Sequence, residues 1–312
     1  MMSLAFVFPG QGSQAIGMLG ALAEVYPQVE ETFKEASDAL GYDLWNVVSN
    51  GPVEELNNTQ TTQPAMLAAG VAVWRIWNAE GGATPAVLAG HSLGEYSALV
   101  AAGVLDFADA IKLVAERGRL MQEAVPAGEG AMAAILGLDD QAVKDVCSAA
   151  AEGEVLSAVN FNAPGQVVIA GTAGAIERAV VAAKEAGAKR AIQLPVSVPS
   201  HCALMEGASE KLAEQLATIS INTPTIPVIN NVDVAIVDSA DAIQAALAKQ
   251  LHQPVRWVET VQKMAADGVD TLIECGPGKV LAGLNKRIVK EMTGMPVFDP
   301  DSLKKALETL NS

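Results

Sequence analysis

The chain has 312 residues, of which half are apolar but only 4% aromatic, and its formal net charge is −16. A chain of this length can bury a substantial core of Ala, Val, Leu and Ile, in one large or two smaller domains. The negative charge argues against nucleic acid or an anionic membrane as a partner, and no apolar stretch is long enough for a transmembrane helix.

The first part of the chain alternates apolar runs with helical periodicity, which is typical of a parallel, doubly wound sheet. A buried strand is predicted at residues 4–9, and it ends in Pro9-Gly10-Gln11-Gly12-Ser13-Gln14. The elements predicted after it are helical segments within 22–40 and 64–77, a strand at 85–89, and helices at 95–103 and 107–123.

The middle of the chain has a different element order. The pattern predicts strands at 131–136, 155–161, 166–171 and 190–196, with helices at 140–150 and 175–186. The turn Asn162-Ala163-Pro164-Gly165 joins the two central strands as a hairpin. This βαββαβ order is that of a ferredoxin-like unit.

The alternation of the first part then resumes. It predicts helices at 204–216, 240–251, 255–266 and 280–289, strands at 226–230 and 271–275, and a final strand–helix pair within 296–310. We therefore expect an α/β fold with a hydrolase-like parallel-sheet core, formed by residues 1–126 and 199–312. Residues 127–198 would form an inserted ferredoxin-like subdomain, with a ligand-binding cleft between the two.

The pentapeptide Gly90-His91-Ser92-Leu93-Gly94 lies between a predicted strand and a predicted helix. This is the context of a nucleophile elbow, in which the serine hydroxyl projects at the carboxyl end of a strand. The start of the following helix would direct free N–H groups at an oxyanion formed there. The alternative is a turn of small residues that merely packs closely.

A nucleophilic serine needs a base, and the chain has three histidines, His91, His201 and His252. Adjacent residues at a sharp elbow generally point apart, so His91 is the weakest candidate. His201 lies where the inserted segment returns to the main domain, facing the predicted cleft. His252 lies at a predicted helix end, where a structural or capping role is equally plausible. Position favours His201 and leaves His252 open.

Seven separated signatures resemble those of one family, the malonyl-CoA:acyl-carrier-protein transacylases of bacterial dissociated fatty-acid synthesis. They are Phe8-Pro9-Gly10-Gln11-Gly12-Ser13-Gln14, Thr62-Gln63-Pro64-Ala65, Gly90-His91-Ser92-Leu93-Gly94-Glu95, Arg117-Gly118, Pro199-Ser200-His201, Gln253-Pro254-Val255-Arg256-Trp257 and Glu274-Cys275-Gly276-Pro277-Gly278. Each motif is weak alone, but their order along nearly the whole chain is specific.

The resemblance implies that Ser92 is the nucleophile and His201 its base. It further implies that the backbone carbonyl of Gln250 orients the imidazole, in place of the carboxylate of a triad. The backbone N–H groups of Gln11 and Leu93 would form the oxyanion hole. Without the resemblance, Gln250 reads as an ordinary glutamine at a helix end.

Arg117 is the residue to which the resemblance assigns specificity, through a two-point contact with the malonyl carboxylate. A buried guanidinium without its anion is costly, so it would also disfavour neutral acyl groups such as acetyl. From the residues alone, Arg117 could equally be a surface arginine, and Arg119 could take its place.

The implied reaction is a ping-pong transfer of malonyl from malonyl-CoA to the phosphopantetheine thiol of acyl carrier protein, through a malonyl-serine ester. Coenzyme A enters as a thioester substrate, no cofactor is expected, and the enzyme would be a monomer. Carrier proteins are acidic, as is this chain, so a local basic patch would have to override the net field. The basic residues that could rim the entrance are Lys279, Lys286, Arg287, Lys290, Lys184, Lys189 and Arg190.

Two other functions share parts of the pattern. An α/β-hydrolase esterase or thioesterase shares the elbow, but it would need an acid between the serine and a late histidine. A non-catalytic module that binds carrier protein would use Ser92 only for close packing.

The cysteines and the first residues bear on the compartment. Cys147, Cys202 and Cys275 are widely spaced, which predicts reduced thiols rather than a disulfide frame or a zinc site. Residues 1–9 lack the basic region and cleavage site of a secretory signal. We therefore expect a cytoplasmic protein.

Overall fold

The computed structural model describes residues 3–196 and 198–310, and its strands form two separate sheets. The five-stranded sheet has the order β7-β2-β1-β8-β9 and the four-stranded sheet the order β4-β5-β3-β6. The strands are β1 (Leu4–Phe8), β2 (Val87–Gly90), β3 (Gly130–Leu136), β4 (Leu156–Ala163), β5 (Gln166–Thr172), β6 (Arg190–Gln193), β7 (Val228–Ile229), β8 (Thr271–Cys275) and β9 (Thr293–Val297).

Several helices are capped at their N-termini by a polar side chain. Asp106 accepts hydrogen bonds from the N–H groups of Ala108 and Asp109, which starts α7, and Asn58 starts α5 in the same way. The helices are α1 (Gly20–Ala23), α2 (Gln28–Leu40), α3 (Leu44–Asn50), α4 (Val53–Leu56), α5 (Thr59–Ala79), α6 (Gly94–Ala101), α7 (Phe107–Ala124), α8 (Asp140–Ala151), α9 (Ala173–Glu185), α10 (Glu206–Leu216), α11 (Ala240–Gln250), α12 (Trp257–Ala266), α13 (Val280–Ile288) and α14 (Pro300–Leu310).

The five-stranded sheet is parallel and buried on both faces. Strand β1 is the central strand of this sheet. It is buried along its whole length and pairs in parallel with β2 and β8. Phe6 and Phe8 contribute to the core that contains α2, α5 and α7, whereas Ala5 and Val7 contribute to the core that contains α12 and α13. Alternate side chains of a strand point to opposite faces, so helices cover both sides of the sheet. This confirms the predicted doubly wound core.

The four-stranded sheet is antiparallel, and α8 and α9 pack against it around a core of its own. Its strands follow the chain order βαββαβ, and their arrangement in space is that of a ferredoxin-like unit. The predicted fold class is therefore confirmed. The division into two regions at residues 126/127 and 198/199 stays a prediction. Of the residues assigned to those regions, 1, 2, 197, 311 and 312 lie outside the described residues.

The structure corrects several element boundaries. The helical segment predicted within 22–40 is two helices, because Pro27 begins α2 as its N-cap residue. Helices α3 and α4 have no counterpart in the prediction, since each is too short for a clear period. The strand predicted at 190–196 ends at Gln193, shortly before Pro195, which has no N–H for a sheet.

The structure also shows the state of the cysteines and the character of the apolar helices. Cys147, Cys202 and Cys275 are free and buried, and burial raises the pKa of Cys202 to about 11. Among the helices of the described residues, none combines the length and the apolar character needed to cross a membrane.

Candidate active site

Ser92 lies between β2 and α6 with a left-handed backbone, φ +52°. The two glycines of the pentapeptide are needed for close packing around this turn. A Cβ atom on Gly90 would lie 1.8 Å from the carbonyl carbon of Gly94, and one on Gly94 would lie 2.0 Å from the carbonyl oxygen of Phe8. Neither position accepts any other side chain without movement of the backbone, so the strand, the turn and the helix have the form of a nucleophile elbow.

Among the three histidines, His201 is the one that the structure places against the serine. Its Nε2 atom lies 2.8 Å from Ser92 Oγ, and its Nδ1 atom lies 2.7 Å from the carbonyl oxygen of Gln250. A carbonyl can only accept, so Nδ1 carries the proton and Nε2 is free to accept one from the serine. The backbone N–H of His201 donates to the carbonyl of Leu251. The imidazole is thus held by the end of α11.

The protonation state of His201 follows from its surroundings. The residue is only 3% exposed, and burial, followed by the nearby positive charge of Arg117, lowers its pKa to about 3. Both effects disfavour the imidazolium. His201 is therefore neutral at physiological pH, which is the state required of a general base.

The other two histidines have different surroundings. His91 Nε2 lies 2.7 Å from Asn162 Oδ1 on β4, and the ring packs 5.6 Å from that of Trp257. His252 lines a second cavity with Lys144 and Glu206, which His201 also borders, and its buried Nδ1 has no hydrogen-bond partner among the described residues. Neither is hydrogen-bonded to Ser92, so of the three histidines only His201 contacts the serine, and its role as the base stays a prediction.

Arg117 and Arg119 lie on the same helix but on different faces. Arg119 is partly exposed and forms ion pairs with Glu116 and Glu123 on α7. Arg117 is 1% exposed, and its Nη2 atom lies 3.3 Å from Ser92 Oγ. Arg119 is thus the surface arginine, and Arg117 is the one that lines the site.

The guanidinium of Arg117 is held by neutral groups. Nη1 donates to Gln63 Oε1 at 2.8 Å and Nη2 to Gln250 Oε1 at 3.1 Å, while the guanidinium carbon lies 5.4 Å from the ring centroid of Tyr96. Within the described residues it has no ion pair, and its buried Nε has no hydrogen-bond partner. A buried cation without a paired carboxylate is suited to an anionic ligand.

Gln11 and Leu93 both line the cavity that contains Ser92. Gln11 is exposed on the loop after β1, and Leu93 is the buried N-cap residue that precedes α6. In the part of the chain that the structure describes, neither backbone N–H donates to a protein acceptor. Both groups are thus available for an oxyanion, and the oxyanion hole stays a prediction.

The cavity, of about 130 Å³, lies between the two sheets of the molecule. The parallel-sheet region contributes most of the polar residues that line it, and the small sheet with the segment after it contributes mainly apolar ones. The lining residues are Gln11, Thr59, His91, Ser92, Leu93, Arg117, Met121, Met132, Asn160, Val168, Leu194, Val196, Val198, Ser200 and His201.

Three buried polar residues of the site were missed by sequence reasoning. Gln63 bonds Arg117, Asn231 bonds the turn at Ser92, and the carboxylate of Glu95 accepts hydrogen bonds from the N–H of Asn231 and from Gln250. Burial raises the pKa of Glu95 to about 7. Gln63 and Glu95 lie within two of the signatures, where a polar residue among apolar ones could have drawn attention. Asn231 follows the carboxyl end of β7 and carried no such signal.

Comparisons with known proteins agree over nearly the whole chain. The family model described as "Acyl transferase domain" matches residues 5–300. The malonyl CoA-acyl carrier protein transacylase of Escherichia coli (strain K12) is 61% identical over 308 residues, covering 99% of this chain and 100% of the relative.

Two solved structures have the same fold. An acyl carrier protein S-malonyltransferase from Vibrio cholerae superposes with a TM-score of 0.95 at 63% identity, covering 97% of this chain and 99% of that one. A malonyl-transacylase in complex with its type II PKS acyl-carrier protein superposes with a TM-score of 0.98 at 59% identity, covering 98% and 99%. The chain therefore belongs to the acyl transferase domain family, as a member of the malonyl CoA-acyl carrier protein transacylases.

Proposed function

We propose that this protein transfers the malonyl group of malonyl-CoA to the phosphopantetheine thiol of an acyl carrier protein and so supplies fatty-acid elongation. The observation that carries the proposal is the position of Arg117, whose Nη2 atom lies 3.3 Å from Ser92 Oγ. In a malonyl thioester, a single methylene separates the carboxylate from the reacting carbonyl. An anion held by Arg117 beside the nucleophile thus fits a short diacid.

The first half-reaction would form a malonyl-serine ester. His201 Nε2 takes the proton of Ser92 Oγ while the oxygen attacks the thioester carbon. The oxyanion accepts hydrogen bonds from the N–H groups of Gln11 and Leu93. The carbon–sulfur bond then breaks, and the proton passes from His201 to the departing coenzyme A.

The second half-reaction runs the same steps in reverse with a different thiol. The phosphopantetheine thiol gives its proton to His201 and attacks the ester. The carbon–oxygen bond then breaks, and Ser92 recovers its proton. Each step exchanges an acyl group between oxygen and sulfur, so the reaction needs no redox partner, and its main requirement is to exclude water from the ester.

The carrier protein is the proposed second substrate, a role that the relative solved with its carrier supports. The exposed basic residues of α13 and of the small sheet are suited to attract an acidic partner. Arg287 also donates to the carbonyl of Pro164 at 3.1 Å, so it joins α13 to the β4–β5 hairpin. Charge reversal is therefore better tested at Lys286, which forms no ion pair among the described residues.

The decisive experiment measures the mass of the intact protein after incubation with malonyl-CoA, followed by addition of holo carrier protein. We expect a malonyl adduct that is absent from Ser92→Ala and is removed by the holo carrier but not by the apo carrier. Rapid release of free malonate would indicate a hydrolase, and failure to form any adduct would indicate a non-catalytic carrier-binding module.

A further inference from the structure

The side chain of Asn231 bonds the turn at Ser92 on both sides. Its Oδ1 atom accepts a hydrogen bond from the N–H of Ser92 at 2.7 Å, and its Nδ2 atom donates to the carbonyl oxygen of Gly90 at 2.6 Å. Gly90 is the last residue of β2, so one planar amide joins the end of the strand to the nucleophile. The amide suits this task because it combines an acceptor and a donor in a fixed geometry.

Asn231 is itself held firmly. The residue is fully buried, its backbone N–H donates to Glu95 Oε2 at 2.9 Å, and its carbonyl accepts from the N–H of Arg256 at 3.1 Å. Gln250 Nε2 donates to the same Glu95 oxygen at 2.8 Å and to the carbonyl of Ser92 at 3.0 Å. Asn231 thus belongs to the network that contains the residue orienting His201.

The turn needs such support because Ser92 has a positive φ, which residues other than glycine seldom adopt. That conformation places Oγ 2.8 Å from His201 Nε2. The bond to Asn231 also occupies the N–H of Ser92 itself, which leaves the N–H of Leu93 as the donor at the start of α6. The same contact would therefore determine both the direction of the hydroxyl and the choice of oxyanion donors.

We propose that Asn231 is a positioning residue for the nucleophile, whose side-chain amide holds the elbow in the conformation that directs Ser92 Oγ at His201. The inference rests on the proposed function only in taking Ser92 as the nucleophile. Asn231 would act through Ser92, since Asn231 itself is not among the residues that line the cavity.

The test uses the full chain and two readouts. The first is the rate at which a fluorophosphonate probe labels Ser92, which depends on the nucleophile and base but not on malonyl recognition. The second is kcat and KM for malonyl-CoA in the transfer to holo carrier protein. Asn230→Ala is the matched control, because Asn230 is also a buried asparagine but bonds Asp233 and Ala235 instead of the elbow.

We expect Asn231→Ala to slow both labelling and kcat about 100-fold, with KM changed less than about twofold, because a displaced nucleophile affects chemistry and not binding. Asn230→Ala should label at the wild-type rate. Wild-type labelling by a folded Asn231→Ala, or a raised KM with unchanged kcat, would overturn the inference.

If the alanine variant does not fold, Asn231→Asp tests whether the amide positions Ser92. It keeps the size and the acceptor facing Ser92 but loses the donor to Gly90, so slowed labelling supports the inference and wild-type labelling overturns it. Failure of the proposed function looks different: the wild type would then label normally with the probe but form no malonyl adduct.

Discussion

The parallel-sheet region and the small antiparallel region contribute different kinds of residue to the same cavity. Ser92, His201 and Arg117 all come from the large region, as does Gln250 behind them. The residues of the small sheet that line the cavity are Met132, Asn160 and Val168, and two of the three are apolar. The residues that the proposed mechanism uses thus come from the parallel core, whereas the inserted sheet supplies mainly apolar walls of the cavity.

Each region has a core of its own, and the two are joined near the site, where Cys202 packs with residues of the small sheet such as Met132 and Val168. The core of the small region lies within residues 131–191. The N–H of Phe161 on β4 donates to the carbonyl of Val255, and the N–H of Val255 donates to the carbonyl of Val159. His91 reaches Asn162 on the same strand. Strand β4 is thus the element through which the small sheet is positioned relative to the nucleophile.

The largest effect should come from removing the base in the large region. We expect His201→Ala to slow malonyl-serine formation by about 1,000-fold or more, because among the described residues His201 is the one basic acceptor that contacts Ser92 Oγ. His252→Ala is the control and should react at nearly the wild-type rate. The rate of adduct formation, measured by intact mass with circular dichroism as the check on folding, tests this. Equal damage in the two folded variants would show that the base is misassigned.

The next effect concerns recognition within the large region. We expect Arg117→Ala to lower kcat/KM for malonyl-CoA about 100-fold, since it removes a charge-assisted contact in a buried site. Acetyl-CoA has no carboxylate, so its rate should change little, and Arg119→Ala should leave both substrates unaffected. A panel of acyl-CoA substrates measures these ratios. A similar loss for malonyl and acetyl would mean that Arg117 serves the structure and not the substrate.

A substitution in the small sheet should change which acyl groups the cavity accepts, without changing the reactivity of Ser92. We expect Met132→Ala to raise the activity with methylmalonyl-CoA relative to malonyl-CoA by about tenfold, because the shorter side chain leaves room for one more methyl group. The rate of fluorophosphonate labelling should stay near that of the wild type. If labelling fell as far as the transfer rate, the proposed division of tasks between the two regions would be wrong.

The smallest change is expected in the pH profile of the wild type. Because burial and Arg117 lower the pKa of His201 to about 3, the histidine stays neutral through mildly acidic pH. The labelling rate should therefore vary less than about twofold between about pH 5 and pH 8. Loss of the positive charge in Arg117→Ala raises the pKa of His201, so the acid limb should move to higher pH. If the labelling rate of the wild type fell with a pKa near the ordinary value for histidine, the buried, positively charged surroundings assigned to His201 would be wrong.

Much of the fold could be predicted because its signals are local. The apolar run Leu4–Phe8, the strand–turn–helix around Ser92 and the βαββαβ order of the middle segment each depend on neighbours in the chain. Periodicity and turn residues report such neighbours directly. Short helices such as α3 lacked a sufficient period, and the end of β6 depended on Pro195.

The sequence by itself thus determined the two kinds of sheet and the turn that presents Ser92, and its signatures pointed to the residues of the site. Only the tertiary structure brings His201, and not His252, into contact with Ser92, and places Arg117 beside that serine while Arg119 pairs with Glu116 at the surface. The Ser92–His201 contact joins residues 109 positions apart and the Ser92–Asn231 contact residues 139 positions apart. Contacts over such separations arise from the packing of whole elements, and no local pattern around Asn231 encodes them.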